Sequence, residues 1–134
     1  MNQIYINLSQ LQRNFNILRS LIKPNTKFMI VLKGDACGHG MIPIANELIN
    51  YNSDALGVVR LSEALTLRKA GIKIPIMIIS PIMPSQTSWI ITHDITPMVD
   101  NEEIIKALDK CAAEKNEIVS LKGFPGDIFM NRDK

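Results

Sequence analysis

Two kinds of hydrophobic pattern open the chain. Over residues 9–22 apolar side chains recur every three or four positions, which predicts an amphipathic helix, and Ser9 with Gln12 is typical of a capping box. The next apolar stretch, 27–33, is continuous and lacks the polar alternation of a half-exposed strand. Such a run is typical of a parallel strand covered on both faces. The chain therefore begins with a helix that leads into a buried strand.

The same alternation of helix and strand patterns continues along the chain. Strands that alternate with helices through short connections predict right-handed crossover units and a parallel sheet, so we assign the chain to the α/β class. Further strands are predicted at 55–59, 75–80, 95–99 and 117–122, and further helices end near Tyr51, run from Ser62 to Gly71, cover 84–93 and start at Asp100.

Five residues carry more specific expectations about these elements. We expect Ser62 to cap its helix, with Glu63 in the first turn favouring the positive end of the helix dipole and Gly71 providing the exit. Trp89 should pack against the sheet. Because proline donates no ladder hydrogen bond, Pro97 predicts an edge strand or a strand end.

The pattern leaves two architectures open. An open doubly wound sheet could be completed by 134 residues. A β/α barrel takes ~250 residues, so this chain could only begin one. Periodicity alone does not distinguish these two folds.

Composition narrows the class of protein. Hydrophobic residues make up 46% of the chain and charged residues 21%, with 15 lysines and arginines against 13 acidic residues. The scattered lysines predict no nucleic-acid partner, and no apolar run approaches the ~20 residues that span a bilayer. Without a secretory signal, we expect a soluble cytoplasmic protein. Cys37 and Cys111 are far apart and predict free thiols, without a zinc site or a disulfide.

The segment 31–40, VLKGDACGHG, places a lysine where the first predicted strand ends. Function gathers at the carboxyl ends of parallel strands, and a lysine partly withdrawn from water forms Schiff bases readily. The simpler interpretation is that Lys33 extends into solvent, and the residues alone favour it. The glycine spacing matches no nucleotide-binding motif. We expect His39 to make a local hydrogen bond and Asp35 to cap the turn.

This segment resembles the cofactor-lysine signature of alanine racemases, V-K-A-D/N-A-Y-G-H-G. The resemblance extends to most of residues 4–122. It implies a partial (β/α) TIM-type barrel over residues 1–122 with about five parallel strands, followed by a divergent tail, 123–134. By the same resemblance, the later strands and the C-terminal β domain of the family are missing.

The resemblance implies a pyridoxal 5′-phosphate enzyme that interconverts L-alanine and D-alanine for peptidoglycan synthesis. Lys33 would be the Schiff-base lysine and one of two bases. The other base would be a tyrosine of the partner subunit, since the family is homodimeric. Cys37 stands where the family has a tyrosine near the cofactor, and Gly34 where it has alanine. Arg132, in DIFMNR, matches an arginine that helps to hold the cofactor.

Three hypotheses follow. The chain is a truncated alanine racemase polypeptide, or a non-catalytic remnant that binds pyridoxal phosphate weakly or not at all. The third hypothesis is a small flavodoxin-like binding domain, which fits the length of the chain but leaves the racemase-like segments to coincidence.

Overall fold

Helices and parallel strands alternate throughout the computed structural model, which describes residues 3–117 and the backbone of 122–123. A left-handed helical turn over Lys33–Gly38, here called the lysine turn, and a 3₁₀ turn over Pro84–Gln86 interrupt the alternation. The helices are α1 Leu8–Ser20, α2 Met41–Asn50, α3 Leu61–Lys69, α4 Thr87–Thr92 and α5 Glu102–Lys115, and the strands are β1 Met29–Val31, β2 Ala55–Val58, β3 Ile76–Ile78, β4 Ile95–Val99 and β5 Lys122–Gly123.

The order of the strands decides between the two architectures. All neighbouring strands are parallel, and their spatial order, β1-β2-β3-β4-β5, is the order in which they occur along the chain. A doubly wound sheet reverses direction at a switch point, whereas a barrel adds each strand on the same side of the preceding one. The described strands therefore form an arc of a β/α barrel, and the doubly wound alternative is wrong.

The two faces of the arc differ in burial. One face carries the core, in which Leu56, Val58, Ile76 and Ile78 are almost completely buried. The other face is half-exposed along most of its length. A methyl group placed on Gly57 would meet the side chains of Val31 and Met29, so these residues share the second face. Lys33 lies two residues beyond the end of β1.

The strand predictions are largely confirmed, although most of the strands are shorter than the apolar runs that predict them. Pairing in β1 covers three residues of the run 27–33, because backbone hydrogen bonding ends sooner than hydrophobicity does. Of the run 117–122, residues 118–121 lie outside the described residues. The described part of β5, Lys122–Gly123, pairs with Met98 and Val99 of β4.

Three helix starts differ from the prediction because other side chains satisfy the free backbone N–H groups. The helix predicted to start at Asp100 begins at Glu102, with Asn101 as its cap. Asn7 caps α1, since its Oδ1 accepts a hydrogen bond from the Gln10 N–H at 3.0 Å, so the proposed capping box at Ser9 is wrong. Ser62 lies inside α3 and does not cap it. The exit at Gly71 is confirmed by its φ of +86°.

Trp89 and Pro97 both contradict the sequence-based expectation. Trp89 is 55% exposed and stacks on His93 at 5.6 Å between ring centroids, because the apolar face of α4 is provided by Ile90 and Ile91. Pro97 is buried in β4, which pairs with β3 on one side and β5 on the other, so it is not in an edge strand. Among the described residues, β5 pairs with Met98 and Val99, which follow the proline.

Cys37 and Cys111, the two cysteines of the chain, are both free thiols, as predicted. Within the part of the chain that the structure describes, no helix has both the length and the apolar character needed to cross a bilayer.

Candidate active site

Lys33 lies at the carboxyl end of β1. The Leu32 N–H donates a hydrogen bond of 2.7 Å to the Gly57 carbonyl oxygen, which continues the β1–β2 pairing one residue beyond the strand. Lys33 follows directly, and its side chain is exposed. In a β/α barrel this end of the sheet carries the chemistry, so Lys33 is a candidate site residue.

The lysine turn has an unusual backbone. Residues 34–37 all have φ between 54° and 64° and ψ between 36° and 46°, which is left-handed helical geometry. Glycine adopts this conformation freely, but Asp35, Ala36 and Cys37 do not, and each L-residue there costs roughly 1–2 kcal/mol. The surrounding contacts must offset this cost, because such strain persists only where neighbouring structure fixes it.

Local hydrogen bonds hold much of the turn. The Ala36 N–H donates to the Leu32 carbonyl at 2.8 Å, and Oδ1 of Asp35 accepts from the Met41 N–H at 2.6 Å. Nδ1 of His39 lies 2.7 Å from the Ala36 carbonyl oxygen, so it must carry the proton. The predicted local roles of Asp35 and His39 are therefore confirmed.

Glu63 connects this turn to the next loop. Its Oε1 accepts a hydrogen bond of 2.8 Å from the Gly34 N–H. Its Oε2 accepts from the Val59 N–H at 3.0 Å and from the Arg60 N–H at 2.9 Å. Burial raises the pKa of the Glu63 carboxyl, but the N–H groups of Arg60, Gly34 and Val59 and the charge of Arg60 outweigh burial, so its pKa lies below its ordinary value.

Glu63 is the site residue that the sequence-based reasoning missed. Its position in the first turn of a helix predicts an interaction with the helix dipole, and nothing more. The contact with Gly34 spans 29 positions along the chain, and the hydrophobic pattern carries no signal for it. A carboxylate at the start of the helix that follows β2 is the available hint, because barrel loops at this end converge.

A groove of about 450 Å³ adjoins the lysine turn. Its lining includes Ala36, Cys37 and His39 from the turn and its C-terminal end, together with Tyr5 and Gln10. Lys33 does not line this groove. Lys33 and the exposed Cys37 therefore belong to the same turn, but of the two only Cys37 lines the groove. Arg132 lies outside the described residues.

The sequence of residues 6–122 matches the family described as alanine racemase, N-terminal domain. The chain belongs to this family. Its members use pyridoxal 5′-phosphate, the cofactor that the lysine signature implies.

Individual relatives agree with this assignment. The chain is 62% identical over 120 residues to alanine racemase 2 of Clostridium acetobutylicum, a match that covers 90% of this chain and 30% of that protein. Alanine racemase of Clostridium difficile 630 superimposes with a TM-score of 0.84 at 30% identity, over 87% of this chain and 30% of that one.

A histidine racemase from Leuconostoc mesenteroides subsp. sake has a TM-score of 0.76 at 26% identity, over 85% of this chain and 30% of that one. The 134 residues thus span about 30% of the length of the relatives they match.

Proposed function

We propose that this chain supplies the cofactor-anchoring part of an alanine racemase, in which the Lys33 amine would hold pyridoxal 5′-phosphate by condensing with its aldehyde and releasing water. The observation that carries the proposal is the exposed lysine at the carboxyl end of β1, inside a turn whose sequence resembles the family signature. When bound, this cofactor delocalises the electron pair that remains after a proton leaves Cα of an amino acid.

The residues present fit such a group. A primary amine is the nucleophile that an aldehyde requires, and Lys33 offers one that solvent reaches. A methyl group on Gly34 or Gly38 would meet no atom within 4 Å, so space is open on the glycine sides of the turn.

The resemblance to the family suggests roles for Lys33 and for the other candidate residues. Lys33 would hold the cofactor, and its amine would exchange a proton with one face of the substrate Cα. The Cys37 thiol offers a weaker hydrogen bond than the family's phenol, which predicts a looser hold on the cofactor. Arg132 is proposed as a further contact of the bound cofactor. By resemblance, the base for the opposite face is a tyrosine of the partner in a homodimer.

The substrate pair, L-alanine and D-alanine for peptidoglycan precursors in the cytoplasm, belongs to the same proposal. The 62% identity to an alanine racemase supports it. The histidine racemase shows that this fold also serves another amino acid in a more distant relative.

A second candidate function is a part-barrel that binds pyridoxal phosphate without catalysis. The fraction of its relatives that the chain spans, about 30%, favours this function for the 134 residues alone. We expect the purified chain to form no measurable D-alanine from L-alanine. Robust formation of D-alanine would contradict this expectation and would establish the isolated chain as an enzyme.

Covalent trapping tests the anchor directly. The chain is incubated with pyridoxal 5′-phosphate, reduced with borohydride and mapped by peptide mass spectrometry. We expect the pyridoxyl label to concentrate on Lys33 and to disappear from that peptide in Lys33→Arg. The matched control, Lys73→Arg, alters an exposed lysine before β3, at the opposite end of the sheet, and should leave the Lys33 label intact. Equal labelling of many surface lysines would contradict the proposal.

A further inference from the structure

We propose that Glu63 is a positioning residue for Lys33, because it fixes the backbone that directly follows the lysine. This inference rests on the proposed function, since it assigns a purpose to the fixed backbone. The juxtaposition that carries it is a single carboxylate shared between the lysine turn and the loop that joins β2 to α3.

The two oxygens of Glu63 have separate partners. Oε2 accepts from the Val59 and Arg60 N–H groups, which satisfies free donors at the start of α3. A helix cap requires nothing further of this side chain. Oε1 nevertheless accepts a hydrogen bond from the Gly34 N–H at 2.8 Å, and Gly34 belongs to a different loop. The second bond is therefore a tie between two loops in addition to the cap.

The tie is made where the backbone changes hand. Leu32 has φ of −113°, whereas Gly34 has φ of +64° and begins the left-handed residues of the turn. Lys33 lies between them. Because the Gly34 N–H is held from outside the turn, the peptide that follows Lys33 has a fixed orientation, and so has the Cα from which its amine extends. The hydrogen bond between Gly34 and Glu63 thus joins the lysine turn to the β2–α3 loop.

The ionisation of Glu63 supports the assignment. Although burial raises the pKa of its carboxyl, the three backbone donors and Arg60 bring it below its ordinary value, so the group is a carboxylate at neutral pH. Hydrogen bonds to a charged acceptor are stronger than those between neutral groups. Glu63 therefore accepts all three hydrogen bonds in its deprotonated form.

Two variants separate positioning from capping. Glu63→Gln keeps the size of the side chain but has one acceptor oxygen, and its NH₂ group would face an N–H donor on one side. Glu63→Asp keeps the charge near the start of α3 but is one methylene shorter, so it cannot bridge both loops. The control is Glu103→Gln, which alters a carboxylate in the first turn of α5, the helix that follows β4.

Two readouts are measured on the same 134-residue chain. The first is amide hydrogen exchange of Gly34, which needs no cofactor; loss of a hydrogen bond to a charged group should accelerate it about tenfold in both Glu63 variants. The second is reductive trapping by pyridoxal 5′-phosphate, scored as label on Lys33 relative to Lys69. We expect that ratio to fall in Glu63→Gln and Glu63→Asp and to stay unchanged in Glu103→Gln.

The outcomes of the two readouts are distinguishable. If the unaltered chain shows no preference for Lys33, the proposed function fails, while the exchange of Gly34 still reports whether the tie exists. If the unaltered chain labels Lys33 and both variants label it equally well, the positioning role is overturned, whether or not Gly34 exchanges faster. Unfolding curves verify that each variant is folded, and if Glu63→Gln unfolds, Glu63→Asp provides both readouts.

Discussion

The two ends of α3 carry side chains with opposite hydrogen-bonding roles, one at each end of the sheet. At the carboxyl end of the strands, Glu63 accepts hydrogen bonds from three backbone N–H groups, one of them in the strained lysine turn. At the amino end, Arg68 donates to four backbone carbonyls in ordinary loops. The first contact holds the turn that contains Lys33, and the second joins loops that carry no candidate chemistry. Barrels divide function and stability between their ends in this way.

The geometry of Arg68 shows how completely its donors are used. Nε lies 2.9 Å from the His93 oxygen, and Nη1 lies 2.8 Å from the oxygens of both Ile72 and Ile74. Nη2 lies 2.6 Å from the Asp94 oxygen. Burial lowers the pKa of the guanidinium, and the charge of Asp94 partly offsets burial. Arginine remains protonated even so. One side chain therefore ties the loops that enter β3 and β4.

The largest loss of stability is expected from removing the Arg68 hydrogen bonds at the amino end of the sheet. Arg68→Met keeps an apolar stem but leaves four carbonyls without their partner, which should lower the free energy of unfolding by about 2–4 kcal/mol. Urea unfolding followed by circular dichroism measures the change. Lys69→Met, at the exposed neighbouring position, is the control and should change stability by less than ~0.5 kcal/mol. A loss as small as that of the control would show that water replaces the four bonds.

The fold was predictable from the sequence wherever a local pattern decides the structure. The strands β2, β3 and β4 come from short apolar runs with clear ends in the sequence. Gly71 marks the end of a helix, where the backbone needs a positive φ. The hydrophobic pattern left the barrel and the doubly wound sheet open, because strand order depends on pairing between distant segments. The resemblance to alanine racemases implied the barrel, and the strand order confirms it. Trp89 was misplaced for a related reason, since two isoleucines fill the space that its size suggested it would occupy.

The candidate site was predictable in part. Lys33, Asp35 and His39 stand out in the sequence because a lysine and three glycines follow an apolar run. The left-handed conformation was not predictable, because Ala36 and Cys37 disfavour it and contacts from elsewhere stabilise it. The distant partner, Glu63, was missed for the same reason: its importance lies in a bond across 29 positions.

A moderate effect is expected at the carboxyl end from Asp35→Ala. The substitution removes the acceptor for the Met41 N–H and places alanine at φ of 54°, so the free energy of unfolding should fall by about 1–2 kcal/mol. Asparagine retains an Oδ1 acceptor and tolerates left-handed geometry, so Asp35→Asn should lose less than ~0.5 kcal/mol. Urea unfolding compares the two variants. Equal losses would show that the charge, and not the acceptor, stabilises the turn.

The smallest effect is the acid sensitivity that Glu63 gives to the carboxyl end. Its folded-state pKa lies below the ordinary 4.5, because three N–H groups outweigh burial. A lowered folded-state pKa means that its contribution is complete above pH 4.5 and is lost as pH falls through the folded-state pKa. The stability difference between the unaltered chain and Glu63→Gln should therefore be constant near neutral pH and shrink in acid. Urea unfolding across this pH range measures it.

This pH dependence separates the two ends of α3. The Arg68 guanidinium stays charged throughout the acidic range, so protonation leaves its four carbonyl contacts in place while it weakens those of Glu63. The control, Lys69→Met, keeps every bond of Glu63 and should give a difference that does not change with pH. If the stability difference for Glu63→Gln were equally independent of pH, the backbone N–H groups would not lower the folded-state pKa of Glu63. The contrast between a positioning end and a stabilising end would then have to rest on Gly34 geometry alone.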